Sequence, residues 1–154
     1  MEDFFISILS VMRTKIVIID PAPIIRGIFK KYILSRSLFL EVIEVGFRDN
    51  VIEILNQEAE NVILIILGGF DNSEITSKDV IEYVQNHDFL YFVPMIIRLN
   101  YHYSENKRFY GLDLLESIKS NSNNFGVLKD FFTDDDFRQA LKLARERRLV
   151  KNNL

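Results

Sequence analysis

No cysteine occurs among the 154 residues, and this one absence removes disulfides, thiolate metal sites and thiol nucleophiles together. Positive charge is also short. Lys and Arg number 19 against 22 Asp and Glu, a net charge of −3, so nothing draws the chain as a whole toward nucleic acid or an anionic membrane. The two histidines, His87 and His102, stand far apart without the acidic spacing of a zinc site. No Ser-His-Asp arrangement, Walker sequence or Rossmann fingerprint is present, and no repeat, low-complexity tract or linker divides the chain.

The apolar run Phe4–Val11 is far shorter than the roughly 20 residues that span a membrane. It also lacks the flanks of a secretory signal, because Glu2 and Asp3 precede it and Arg13 and Lys15 follow it. Two readings stay open for residues 1–13: an extension whose short helix rests on the domain, or sequence upstream of a start at Met12. With no signal visible, a cytoplasmic location is expected.

What is present is a foldable composition. Hydrophobic residues make up 48% and charged residues 27%, which suits one domain with a real core, over 14–150, followed by a short tail at 151–154. Lys15–Asp20, Phe39–Gly46, Val62–Leu67, Tyr91–Arg98 and Asn124–Leu128 read as strands, being short, rich in Val, Ile and Phe, and bounded by Gly, Asn or Pro. The first, third and fourth are apolar on both faces, as central strands of a covered parallel sheet must be.

Amphipathic segments alternate with them. After Pro23, residues Ile24, Ile25, Ile28, Phe29, Tyr32 and Ile33 recur at helical spacing, with Arg26, Lys30 and Lys31 mostly opposite. Further helices are expected over 50–57, 77–85 and 109–118. The last is capped by Thr133 and buries Phe137, Ala140, Leu141 and Ala144. Five strands alternating with helices through right-handed crossovers predict an α/β, flavodoxin-like, doubly wound parallel sheet of order 2-1-3-4-5. In such a sheet ligands gather at the carboxyl ends of the strands, so what stands there reports the available chemistry. Strand one ends in Asp20, whereas strand three ends in Gly68-Gly69 with no acid.

From about Lys15 to Arg148 the pattern resembles a response-regulator receiver domain. Ile16-Val-Ile-Ile-Asp20 resembles the first strand with its acid, followed by Arg26 at the place of a frequent basic residue. Asn61-Val-Ile-Leu-Ile-Ile resembles the third, Val93-Pro94-Met-Ile-Ile the fourth with its proline, and Val127-Leu128-Lys129-Asp130-Phe131 the fifth with its lysine. The resemblance implies a site at which an aspartate ending strand three takes a phosphoryl group. Mg²⁺ is held there by an acidic pair after strand one, and a hydroxyl on strand four and the lysine on strand five contact the phosphoryl oxygens.

Against that pattern Asp20 matches the first acid, but Pro21 stands at the second. The acceptor position falls on Ile66 or Leu67, the hydroxyl position on Leu99 or Asn100, and Asp130 replaces the usual proline. An aliphatic carbon cannot accept a phosphoryl group, and one carboxylate is a poor holder of Mg²⁺.

The expectation is therefore a degenerate receiver, neither enzyme nor cofactor carrier, that signals by binding a partner protein or a second copy of itself. Nucleic acid and membrane are not expected partners. The resemblance places candidate contacts at Asp130, Phe131, Arg138 and Arg145, and the loop residues Tyr101 and Tyr103 either join them or fold back over the pocket. The competing reading is a small-molecule sensor that uses the vacated pocket. Lys129 is expected to pair with Asp20, in preference to a surviving acidic pocket. Gly68-Gly69 reads as a plain turn rather than an anion cradle, and Asp71 lies too far beyond the strand to replace the acceptor.

Overall fold

A computed structural model describes residues 13–46, 48–69, 74–99, 125–129 and 132–152. Its order is β1 (Lys15–Ile19), α1 (Pro23–Arg36), β2 (Glu41–Val45), α2 (Val51–Glu58), β3 (Val62–Gly68), α3 (Ser77–Asn86), β4 (Met95–Leu99), β5 (Phe125–Lys129) and α4 (Asp134–Asn152). The five strands form one parallel sheet of order β2-β1-β3-β4-β5, as the sequence predicts. The expected helices at the N-terminus and over 109–118 lie outside the described residues, as do Asn100, Tyr101, Tyr103, Asp130 and Phe131.

Alternation along the strands builds two cores. Val17, Ile19, Ile65, Leu67, Met95 and Ile97 point to the face covered by α2 and α3, and Ile16, Ile18, Leu64, Ile66 and Ile96 to the face covered by α1 and α4. Each fully buried aliphatic side chain adds roughly 1.5–3 kcal/mol of transfer free energy. Local signals fix the helix starts. Asn50 caps α2 by accepting from Glu53 N, Thr76 and Asp79 form a reciprocal capping box on α3, and Thr133 and Asp136 do the same on α4. Gly126 lets β5 run close under α4, since a Cβ there would stand 2.1 Å from the Ala140 carbonyl oxygen.

Two expectations need correction. Ile24 and Ile28 are exposed on α1, at 78% and 50%, whereas Phe29 and Ile33 are buried. The inward face of α1 is shared with Arg26, which bonds to the Asp20 backbone, so the helix rotates the two isoleucines outward. Strand β4 begins at Met95 rather than Tyr91, because Leu90 N and Tyr91 N both donate to His87 O and Val93 N donates to Leu90 O, winding that stretch into turns. On α4, Phe137, Ala140 and Ala144 are buried as expected, and Leu141 is partly so.

At the start of β1, Arg13 is buried, and its Nη1 donates to the carbonyls of Ala59 (3.1 Å) and Val62 (2.9 Å) while its guanidinium lies 4.7 Å from the centre of the Phe92 ring. Desolvation draws its pKa down from the ordinary value. Lys15 is tied to Glu58 at 2.7 Å, and that hydrogen bond holds its ammonium above its ordinary range.

Helices α1 and α4 meet through Tyr32, whose hydroxyl donates to Asp134, and through rings of Phe29, Tyr32, Phe132 and Phe137. The Tyr32 hydrogen bond, aided by Arg138 and Arg36, holds the Asp134 carboxyl below its ordinary 3.8. Ionised Asp134 therefore contributes stability that is fully present above its unfolded pKa and is lost as pH falls through the lower folded one. Urea midpoints of the wild type and Asp134→Asn should converge on acidification between about pH 5 and pH 2. A difference that stayed constant across that range would contradict this. Because Asp134 is partly exposed, the effect is small.

Candidate functional site

The carboxyl ends of β1, β3 and β4 meet at three residues. Leu67 pairs with Ile19, and Gly68 pairs with Arg98, so Asp20, Gly68 and Arg98 stand side by side across the sheet. Each lies two residues beyond Ile18, Ile66 or Ile96 and thus continues the face under α1 and α4.

Asp20 is buried, with both carboxylate oxygens engaged. Oδ1 accepts from Ala22 N at 2.9 Å, closing the turn into α1, and Oδ2 accepts from Arg98 Nε at 2.7 Å. The side chains of both partners are 2% exposed. This is a charge-assisted bond in a nearly dry environment, short as such bonds are. A second cation supports the same residue from α1: Arg26 Nη1 donates to the Asp20 carbonyl oxygen at 2.6 Å, and Arg26 Nε lies 3.6 Å from Glu44 on β2. Ser77, buried at the start of α3, donates to the Gly68 carbonyl at 2.8 Å and anchors the end of β3 from the other layer.

Gly68 is the residue that makes room. A Cβ built on it would stand 2.1 Å from Asp20 Oδ2 and 3.4 Å from Arg98 Nη2. The residue of β3 directly beside Asp20 is thus Gly68, just beyond Ile66 and Leu67. Ile66 and Leu67 are fully buried, one in each core layer. The expected Asp20–Lys129 pair falls on a side chain outside the described residues, and Arg98 is a partner of Asp20 that the sequence did not lead us to expect. Lys129 ends β5, opposite Leu99 at the end of β4, one step past the Gly68–Arg98 pair. The side chains of both lie outside the described residues.

Sequence reasoning counted Arg98 in a strand and gave it no role. The signal was there. An arginine after Met95-Ile-Ile in a strand covered on both faces must be buried, a buried guanidinium needs a carboxylate, and Asp20 is the acid at that level of the sheet.

The search of solved structures finds this architecture in receivers. The first is a response regulator receiver domain protein from Clostridium thermocellum, at TM-score 0.65 and 16% identity over 90% of this chain and 98% of that one. The fold is that of a receiver domain. The bacteriophytochrome response regulator AtBRR matches at TM-score 0.61 and 15% identity, covering 86% of this chain and 92% of its own. The N-terminal domain of a response regulator receiver protein from Methanoculleus marisnigri matches at 0.53 and 14%, covering 83% and 93%. No family model and no curated protein matches the sequence.

The Mg²⁺ that a receiver fold implies can be tested against these side chains, and they do not fit it. The ion needs several oxygen ligands in near-octahedral array. Among the described residues at this end of the sheet, the Asp20 carboxylate has both oxygens on nitrogen donors, Pro21 offers no acid, Gly68 has no side chain, and the Arg98 guanidinium stands beside the acid. Among the described residues no cluster of three or more His, Asp and Glu could hold a metal ion, and no helix is long and apolar enough to cross a membrane.

Proposed function

We propose that this protein is a pseudo-receiver: a receiver-fold domain that takes no phosphoryl group and works in two-component or chemotaxis-type signalling as a constitutive protein-interaction module. The observation that carries the reading is the buried Arg98–Asp20 pair over Gly68. The Arg98 guanidinium supplies internally the positive charge that a metal would bring to the acid, and the acceptor side chain is missing at the position next to it. Input by phosphorylation is therefore lost, while the outer surfaces of the fold stay available to a signalling protein or a second copy.

The sensor reading needs an open strand-end pocket. It is less favoured here, because among the described residues the ion pair fills the space directly beside Gly68. No catalytic role follows from this arrangement. Of the expected contact residues, Arg138 and Arg145 lie exposed on α4, Arg138 paired with Asp134 at 3.2 Å.

Incubation with acetyl phosphate and Mg²⁺, followed by intact mass measurement, should leave the mass unchanged. A hydroxylamine-labile phosphoryl adduct would overturn the proposal.

A further inference from the structure

At the amino end of the sheet, opposite the Asp20–Arg98 pair, α2 and α3 finish side by side and leave an open cavity of about 560 Å³, a volume that suits a small molecule. Its walls include Asn56 of α2, Glu60 in the turn after it, and Asn86, His87, Asp88 and Phe89 at the end of α3. Phe89 is the large apolar side chain among them, and it is 45% exposed.

The charge of this cavity leans one way. Glu60 and Asp88 are exposed and make no hydrogen bond or ion pair among the described residues. Both helices also present their carbonyl ends here, the negative end of the macrodipole, and neither has a basic residue in its last turn. His87 adds no positive charge, because its Nδ1 accepts from Phe89 N at 3.1 Å and its Nε2–H faces Asn56 Oδ1 at 3.2 Å. Arg13 attracts Glu60 from behind the wall, so its charge offsets one of the two carboxylates at most.

The walls are also fixed before anything binds. Arg13 Nη1 donates to the carbonyls of Ala59 and Phe89 and so ties the two turns to one buried group, while the His87 ring bridges α3 to α2 and packs on Tyr83 at 5.5 Å. Less freedom is then lost on binding. An exposed aromatic face beside free carboxylates recognises an organic cation: the ring attracts the charge and covers an aliphatic stem, and the carboxylates accept its N–H bonds. A bare metal ion is a poorer match, since it needs several oxygen ligands and among the described residues no three acidic or histidine side chains converge.

We infer that this cavity binds a small organic cation, an ammonium or guanidinium on a short aliphatic stem, with Glu60 and Asp88 pairing the charge and Phe89 covering the stem. The site lies at the other end of the sheet from the Asp20–Arg98 pair, and it does not depend on the phosphorylation reading.

Agmatine is the probe, titrated into the isotope-labelled full-length protein at about 0.15 M salt. Backbone amide signals of 56–61 and 86–89 should shift and saturate, while those of 134–141 stay in place. Valerate, with the opposite charge on a similar stem, should shift nothing. Glu60→Gln and Asp88→Asn should each weaken agmatine binding about twofold to fivefold. Phe89→Leu, which keeps apolar area without the ring face, should weaken it by a similar factor of about twofold to fivefold. Shifts that never saturate, shifts spread over acidic residues of the whole surface, or equal affinity in all three variants would overturn the inference. Saturation by a short arginine-containing peptide with none by agmatine would also overturn it, by making a partner's side chain the occupant.

Discussion

Arg98→Leu is expected to destabilise the fold by about 3–5 kcal/mol, the usual cost of removing one member of a buried ion pair and leaving the other charged and unpaired. For a domain whose total stability is on the order of 5–15 kcal/mol, that is a fifth or more of the whole. The reason lies in the burial: Asp20 and Arg98 are 2% and 1% exposed, so water cannot replace the lost donor at Oδ2, and the Ala22 amide serves only Oδ1. The double variant Asp20→Leu/Arg98→Leu should recover most of the loss, because two apolar side chains of similar volume need no desolvated charge. The measurement is denaturant unfolding of each variant. The pair is thus less a source of net stability than a constraint on what the site can contain.

Gly68→Ala is expected to cost about 1–3 kcal/mol, and Gly68→Asp more. The added Cβ would lie 2.1 Å from an oxygen that cannot simply swing away, since Arg98 and the turn at Ala22 hold the carboxylate on both sides. Aspartate adds a second negative charge against Asp20 and a competitor for Arg98. Placing an aspartate beside Asp20 should therefore leave the chain unphosphorylated by acetyl phosphate, as well as less stable. Thermal unfolding together with intact mass reads both outcomes. A Gly68→Asp variant as stable as the wild type, or one that gains a labile adduct, would mean that the ion pair yields readily.

The sheet was legible in the sequence because its signals are local and redundant. Ile16–Ile19 and Val62–Leu67 are apolar at every position, which suits strands covered on both faces, and Asn50, Thr76 and Thr133 stand where helices begin. The site was half legible. Asp20 stood out as an acid at a strand end, but Arg98 is 78 residues away, and that it reaches Asp20 is decided by strand register, a tertiary quantity. The same register sets Gly68 beside the Asp20–Arg98 pair, because pairing with β4 carries β3 one residue further than its apolar run. On α1, periodicity alone gave too wide an apolar face. The Arg26 bond to the Asp20 backbone turns Ile24 and Ile28 to solvent, and no count of hydrophobic spacing contains that bond.

The central claim is that Arg98 occupies the acidic site in place of a metal, and the coupling between Asp20 and Arg98 tests it most directly. Unfolding free energies of the wild type, Asp20→Leu, Arg98→Leu and the double variant give that coupling, and the cycle should be run with and without Mg²⁺. The account predicts a coupling of at least about 4 kcal/mol, as follows from two single losses of about 3–5 kcal/mol and a small loss in the double variant, and Mg²⁺ leaves it unchanged. A coupling below about 0.5 kcal/mol, or one that falls as Mg²⁺ is added while the wild type gains stability, would contradict it.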